Sequence, residues 1–158
     1  MTTLHLPDSE ATELAGAALA RTRPAQAVVH LVGDLGAGKS TLARALLRTL
    51  GVTGTIRSPT YTLVERYPLE TGGEAWHLDL YRIGDAGELD YLGLDADDTV
   101  LWLIEWPERG AGGTPGPDLV VHLAIEGGGR RINIESASGT GDAWVLRFVA
   151  DHGVAGIS

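Results

Sequence analysis

Residues 33–40 read Gly-Asp-Leu-Gly-Ala-Gly-Lys-Ser, which matches the pattern G-x-x-x-x-G-K-[S/T]. In this pattern the glycines let successive backbone N–H groups turn inward around a phosphate, and the lysine reaches its outer oxygens. The preceding run AVVHLV (27–32) is short and apolar, as in a buried strand. Apolar residues then recur at helical spacing as far as Leu50, and Gly51 is placed to end the helix. The sequence therefore predicts a strand, a phosphate-binding loop and a helix in succession.

Lys39 is the only lysine of the chain, and the other eleven basic residues are arginines. Because lysine is a slim point charge and arginine a planar fork, this usage favours a phosphate contact at Lys39. We expect Lys39 to bind the β- and γ-phosphates of ATP, and the Ser40 hydroxyl to ligate Mg²⁺. The predicted nucleotide-binding segment comprises Gly33, Asp34, Leu35, Gly36, Ala37, Gly38, Lys39, Ser40 and Thr41.

Other nucleotide-binding classes fit less well. A Ras-like GTPase needs an N-K-x-D motif for guanine, and the single lysine already lies in the loop. An ABC-type ATPase needs a signature helix and more chain than remains. These exclusions favour ATP over GTP.

Glu105 ends the strongly apolar run TVLWLIE (99–105), a position typical of a carboxylate that holds magnesium at the end of a buried strand. We expect it to bind Mg²⁺ directly or through water, opposite Ser40. The alternative is a carboxylate that only leaves the core at a strand end. Trp106 follows, and it is predicted either to pack near the nucleotide or a partner, or to be an ordinary half-buried tryptophan.

Asp79 and Thr60 are the candidates for positioning the attacking water. Alternation in AWHLDLY (75–81) places Asp79 on the strand face opposite Trp76. It is predicted to orient that water or the magnesium shell, or else to pair with an arginine such as Arg82. Thr60 lies in a Ser-Pro-Thr turn after the loop helix, where P-loop proteins place a segment that senses the γ-phosphate. The pattern does not decide which of the two positions the water.

The remaining patterns complete an α/β fold. In a first helix capped by Asp8 or Ser9, Leu14 and Leu19 belong to the predicted apolar stripe. Further elements are predicted at 60–67 and 75–81 (a β-hairpin), 85–92 (a short acidic helix), 119–125 and 131–135 (strands) and from Asp142 onward (a helix). We expect one domain, 1–158, with a P-loop NTPase-like three-layer sandwich around a mixed central sheet. Parallel strands should lie near the loop and antiparallel strands outside.

Composition limits the partners and the location. The net charge of −9 lacks the basic footprint of a protein that grips nucleic acid alone, so a partner would hold any nucleic acid. No apolar run approaches the roughly 20 residues that span a bilayer, and MTTLHLPDSE does not resemble a secretory signal. We therefore expect no membrane contact and a cytoplasmic location. The absence of cysteine excludes disulfides and thiol catalysis. Scattered histidines are predicted as surface or half-buried strand residues: His5, His30, His77, His122 and His152.

Four blocks of the chain together resemble one family. They are GDLGAGKST (33–41), RSPTYTLVERY (57–67), HLDLYR (77–82) and IEWPE (104–108). In order and spacing they closely resemble the TsaE (YjeE) family, a small bacterial ATPase that works in making threonylcarbamoyladenosine on tRNA. The similarity extends over essentially the whole chain, and HxDLYR and IEWPE are not general P-loop features, so the match is specific.

The resemblance implies an ATPase that does not itself transfer the threonylcarbamoyl group. It would act on the TsaB–TsaD complex, in which TsaD carries the transfer chemistry, and hydrolysis would reset that complex between turnovers. Contacts with tRNA would be made largely by those partners. Turnover of the isolated chain would be slow.

The resemblance also implies site roles. Lys39 would bind phosphate, Ser40 and Glu105 would ligate magnesium, Thr60 would be the switch threonine and Asp79 the acid near the attacking water. An arginine of the C-terminal strand region would touch the nucleotide. Arg130 is the best match, with Arg131 beside it as the alternative. Most relatives have threonine where this chain has Ser40, and both residues carry the hydroxyl that the metal requires.

Two other functions remain open. A small-molecule or nucleoside kinase also combines a P-loop with a small α/β domain, but the chain has no arginine-rich insertion to form a lid over the phosphates. A regulatory subunit that senses ATP with little turnover is the second alternative. Glu105 and Asp79 favour hydrolysis over pure sensing.

Overall fold

The computed structural model of the chain describes residues 1–60, 62–84, 87–89, 98–110 and 113–152. The strands are β1 (Thr2–Leu6), β2 (Ala27–Val32), β3 (Val64–Pro68), β4 (Glu74–Asp79), β5 (Thr99–Glu105), β6 (Leu119–Glu126) and β7 (Gly129–Ser136). The helices are α1 (Ser9–Thr22), α2 (Lys39–Thr49) and α3 (Gly139–His152).

The seven strands form one mixed sheet in the order β1-β7-β6-β2-β5-β4-β3. Strands β6, β2, β5 and β4 are mutually parallel, whereas β7 and β3 run antiparallel to their inner neighbours, and β1 pairs antiparallel with β7. This confirms the expected α/β fold, with parallel strands near the loop and antiparallel strands outside. Strand β1 was not predicted, because its short TTLHL sequence becomes a strand only through pairing with β7.

The register of the parallel strands decides which residues share an edge. Leu31, near the end of β2, is paired with Glu105 at the end of β5, and Glu105 is paired with Asp79 at the end of β4. Parallel strands present their carboxyl ends at the same edge of a sheet, where α/β proteins bind ligands. The loop after β2 and both carboxylates therefore meet at one edge.

Two hydrophobic cores lie on opposite faces of the sheet. The helix-side core joins the three helices to inward residues of the strands, and it encloses Trp144 and Phe148 of α3. On the other face, Trp76 of β4 belongs to an outer core that is closed by Leu80, Ile83 and Leu89. In the described residues, the layer on this second face is thus built from the segment after β4. Within the same described part, no helix has the length and hydropathy needed to cross a membrane.

The structure decides between two predicted caps of α1 and corrects two other helix details. The α1 cap is Asp8, whose Oδ1 accepts a hydrogen bond from the Ala11 N–H at 2.8 Å. Leu14 does not belong to the buried stripe of α1, since its side chain is 57% exposed, whereas Leu19 is fully buried. Helix α3 begins at Gly139 rather than Asp142, because the Ser138 hydroxyl accepts a hydrogen bond from the backbone of the first turn.

The predicted β-hairpin is formed by β3 and β4, but β3 begins at Val64 rather than at residue 60. The reason is a turn in which the Leu63 N–H donates to the Pro59 carbonyl at 2.8 Å, with Leu63 at a φ of 68°. Thr60 therefore lies in a loop and not in the strand. The acidic helix expected at 85–92 falls largely outside the described residues.

We expect Leu19→Ala to lower the free energy of unfolding by about 2–5 kcal/mol, because truncation leaves a cavity in the helix-side core. Leu14→Ala removes the same atoms from an exposed position of the same helix, so its effect should stay below about 0.5 kcal/mol. Urea denaturation of the two variants measures the difference. Equal losses would contradict the packing of α1.

Candidate functional site

The loop between β2 and α2 leaves the helix N-terminus open. Gly38 caps α2 in a left-handed conformation, with φ 107° and ψ 10°, and no side chain caps the helix. The first turn also carries no acidic residue. The N–H groups at the start of a helix lack intrahelical partners and favour an anion. The helix start is therefore free of competing side-chain groups and suits an anion.

The start of this loop is packed tightly against the sheet. A Cβ on Gly33 would lie 2.4 Å from the Leu123 carbonyl oxygen of β6. A side chain of any size is thus excluded unless the loop or β6 moves. The tip of the loop is different, since Asp34, Leu35 and Gly36 are exposed.

Arg130 of β7 reaches this loop. Its guanidinium donates to the Gly36 carbonyl at 3.1 Å and to the Gly129 carbonyl at 3.0 Å. Beside it lies a cavity of about 200 Å³, which is also lined by Gly38 and Thr41. Arg131 has the opposite orientation and pairs with Glu126 at 3.0 Å. Of the two candidate arginines, the structure places Arg130 at the loop.

Lys39 points into the protein and is only 5% exposed. Its Nζ donates to the Gly33 carbonyl at 2.6 Å and lies 3.8 Å from Glu105 Oε1. The indole of Trp106 covers the same ammonium group, with 4.6 Å between Nζ and the ring centroid. A buried ammonium needs such partners, because loss of hydration destabilises it. The register of β2 and β5 thus brings together two side chains that the sequence singled out separately.

Glu105 is 4% exposed, and its second oxygen, Oε2, lies 2.6 Å from Nε2 of His77. His77 is 2% exposed, so the expectation of a surface or half-buried position was wrong for this histidine. Strand alternation accounts for its location, because His77 and Asp79 of β4 project from the same face as Glu105. The sequence shows this alternation, but His77 comes to lie beside Glu105 only because β4 is the neighbour of β5, which the sequence does not show.

Thr60 and Asp79 meet beside Glu105. Thr60 Oγ1 lies 3.5 Å from Asp79 Oδ2 and 2.7 Å from the Ser58 hydroxyl. The other carboxylate oxygen of Asp79 accepts a hydrogen bond from the Tyr81 N–H at 3.0 Å. Asp79 is 6% exposed. The loop that carries Thr60 and the end of β4 therefore form a second polar pair at the same edge.

Ser40 lines a small cavity together with Ser58 and His77. Ser40 thus lies on the same side of the loop as His77, whose ring contacts Glu105. A second cavity, of about 130 Å³, lies next to Lys39 and Trp106. Hydroxyl and carboxylate oxygens are the ligands that Mg²⁺ prefers, and the open start of α2 favours phosphate. The N–H groups at the start of α2 thus suit a phosphate group, and the neighbouring hydroxyl and carboxylate oxygens suit a hard cation such as Mg²⁺.

Trp106 has a backbone conformation that is rare for a large side chain, with φ at 55°. Such conformations cost about 1–3 kcal/mol and cluster at functional sites. The Tyr81 ring packs on the indole at a centroid distance of 4.9 Å. The strained residue thus keeps an aromatic lid directly over Lys39. Trp106 is half-buried, as one alternative has it, and it also packs on the lysine of the loop.

The fold and the loop geometry define a P-loop α/β protein. A sequence profile of the family described as "Threonylcarbamoyl adenosine biosynthesis protein TsaE" matches residues 6–132. The chain belongs to the TsaE family.

Individual relatives agree with this assignment. The tRNA threonylcarbamoyladenosine biosynthesis protein TsaE of Haemophilus influenzae is 42% identical over 123 residues, which cover 77% of each chain. The protein of the same name from Synechocystis is 44% identical over 110 residues, covering 66% of this chain and 69% of the relative. The crystal structure of Bacillus subtilis YdiB has the same fold, with a TM-score of 0.76 at 21% identity, over 94% of this chain and 93% of the other.

We expect Gly33→Ala to destabilise the protein by about 1–3 kcal/mol, because the added Cβ must displace either the loop or the Leu123 carbonyl. Gly128→Ala is the matched control, since a Cβ there meets no atom of the described residues within 4 Å. Thermal unfolding of the two variants measures the effect. A Gly33→Ala protein as stable as the Gly128→Ala protein would contradict the close approach of the loop to β6.

Proposed function

We propose that the chain binds and hydrolyses ATP with Mg²⁺ and thereby supports synthesis of threonylcarbamoyladenosine at position 37 of tRNA. In this proposal it acts on the TsaB–TsaD complex and does not transfer the threonylcarbamoyl group itself. Membership of the TsaE family supports the part in tRNA threonylcarbamoyladenosine biosynthesis. The geometry of the loop and the two carboxylates supports the part played by ATP.

The observation that carries the proposal is the convergence of Lys39 and Glu105 below the open N-terminus of α2. Lys39 contacts a carbonyl, a carboxylate and an aromatic face, each of which a phosphate group can replace as its partner. Phosphoryl transfer depends on positioning and on charge neutralisation, and a buried ammonium supplies both. Arg130 adds a second cation on the other side of the loop.

Ser40 and Glu105 would hold the magnesium ion. Bound there, Mg²⁺ would neutralise charge on the phosphate oxygens. Ser40 and His77 line the same small cavity, His77 contacts Glu105 Oε2, and the carboxylate is kept from bulk water by burial. The neighbouring pair of Thr60 and Asp79 is suited to orienting the attacking water, since it offers a hydroxyl and a carboxylate within 3.5 Å of each other. Asp79 is the stronger proton acceptor of the two.

The remaining assignments follow from charge and family. A chain with net charge −9 is a poor ligand for the phosphate backbone, so the proposal assigns tRNA contacts to the partner proteins. It also places the chain in the cytoplasm, without membrane contact.

We predict that Lys39→Ala abolishes ATP binding measurable by calorimetry, because the loop loses its only buried cation. Glu105→Ala should weaken ATP binding in the presence of Mg²⁺ but not in EDTA, since the carboxylate acts through the metal. Arg131→Ala provides a control, because Arg131 pairs with Glu126 and not with the loop. If Glu105→Ala leaves the magnesium dependence of binding intact, Glu105 is not the metal ligand.

We predict slow steady-state phosphate release by the isolated chain and a clear rise when TsaB and TsaD are added. Lys39→Ala should show no such rise, which separates hydrolysis by this chain from a contaminant. An unchanged rate on addition of both partners would count against action on the complex. Phosphorylation of a metabolite when the chain is incubated with ATP and a metabolite panel would favour the kinase alternative instead.

A further inference from the structure

His77 is a polar side chain that the proposed mechanism has not used. It lies on the helix-side face of β4, and its ring is almost completely enclosed at 2% exposure. Burying an imidazole without hydrogen bonds is unfavourable, so each of its contacts is informative. Within the described residues, Nδ1 has no hydrogen-bond partner, and the one polar partner of the ring is Glu105.

The direction of this hydrogen bond follows from the chemistry of its partners. An ionised carboxylate has no proton to give, so His77 Nε2–H donates to Glu105 Oε2 across 2.6 Å. Glu105 Oε1 has a different environment, 3.8 Å from the Lys39 ammonium. Of the two Glu105 carboxylate oxygens, Oε2 is therefore held by His77, and Oε1 faces the ammonium group of Lys39.

We propose that His77 is a positioning residue that holds the Glu105 carboxylate in the orientation required for Mg²⁺ binding. The hydrogen bond occupies Oε2 and stops rotation of the carboxylate, which leaves Oε1 directed at the loop. Carboxylates that ligate metals are commonly held by hydrogen bonds from a surrounding shell of residues. The inference rests on the proposed role of Glu105 as a magnesium ligand and adds the residue that orients it.

The surroundings of His77 favour this role over a purely structural one. A residue needed only to fill space at this buried position would be apolar, like Ala75 two residues earlier on the same face. His77 instead brings into the core a nitrogen that has no partner in the described part of the chain, and it lines the cavity shared with Ser40 and Ser58. Burying this polar ring therefore costs free energy, and residues that depart from the usual packing rules in this way are commonly functional.

The test is the affinity for ATP with excess Mg²⁺ and with EDTA, measured by calorimetry for four proteins. They are the wild type, His77→Phe, His77→Gln and His122→Phe. Phenylalanine keeps a planar ring but removes the donor, whereas glutamine can restore an N–H near the position of Nε2. His122 is the matched control, because it also pairs with a glutamate, Glu135 at 3.4 Å, but in an exposed position.

We expect the gain in ATP affinity on adding Mg²⁺ to fall about 10–100-fold in His77→Phe, or to vanish if the wild-type gain is smaller. Affinity in EDTA should stay within about twofold, because Lys39 and the loop are untouched. His77→Gln should recover most of the magnesium-dependent gain, and His122→Phe should behave as wild type. A parallel loss of affinity in Mg²⁺ and in EDTA, together with a lowered melting temperature, would identify a structural role and overturn the inference.

The Glu105→Gln variant distinguishes a failure of the inference about His77 from a failure of the proposed role of Glu105 as a magnesium ligand. If Glu105→Gln loses the magnesium-dependent gain but His77→Phe retains it, the inference about His77 fails and the proposed metal ligand stands. If Glu105→Gln retains the gain, the proposed ligand itself is wrong. Adding His77→Phe to Glu105→Gln should cause no further loss of the magnesium-dependent gain. The reason is that His77 acts only through the Glu105 carboxylate, which Glu105→Gln has already removed. An additive loss would overturn the inference even where both single variants are impaired.

Discussion

A buried ammonium and a buried carboxylate, Lys39 and Glu105, face each other across 3.8 Å at one edge of the sheet, and the other site residues are arranged around them. Removing two charges from water costs more than such a pair regains unless further polar contacts satisfy both. Here the Gly33 carbonyl and the Trp106 indole contact the ammonium, and His77 donates to the carboxylate. The arrangement follows from the parallel pairing of β2 and β5, which sets the loop and the carboxylate side by side.

Several unfavourable features lie at this edge. Among the described residues, the start of α2 has no side-chain cap and His77 Nδ1 has no hydrogen-bond partner, and Trp106 has a positive φ. The helix-side core, by contrast, is filled by fully buried apolar side chains such as Trp144 and Phe148. Burial in that core stabilises the scaffold and offsets the strain and buried charge at the edge. Backbone strain of the kind seen at Trp106 is typical of functional sites.

The sequence predicted the structure correctly where the pattern lies within a single strand or within one loop and its helix. The G-x-x-x-x-G-K-[S/T] pattern predicted the loop and the helix after it, and the apolar runs at 27–32 and 99–105 matched β2 and β5 in full. Alternation in β4 predicted the face on which Asp79 lies. The late start of β3, at Val64 rather than at residue 60, was not predicted, because it depends on a turn with a positive φ at Leu63, and leucine gives no sign of that conformation.

Information about neighbouring elements was absent from the sequence patterns. The role of His77 depends on β4 lying beside β5, and strand order cannot be read from periodicity. The same holds for β1, whose strand exists through its pairing with β7, and for Leu14, which a helical stripe placed in the core although α1 turns it outward. The choice between Arg130 and Arg131 required the direction of each side chain from β7. Patterns along single elements identified the candidate site residues, whereas packing between elements determined which of these residues lie close together.

The central claim is that the carboxyl ends of β2, β4 and β5 form one site for a nucleotide and its metal ion. Paramagnetic broadening by Mn²⁺, which takes the same oxygen ligands as Mg²⁺, tests it directly in amide NMR spectra recorded with ATP. The account predicts that the signals of Ser40, Thr60 and His77 disappear on addition of Mn²⁺, while that of Leu146, exposed on α3, persists. Broadening centred on another part of the molecule, or none at these three residues, would contradict the account.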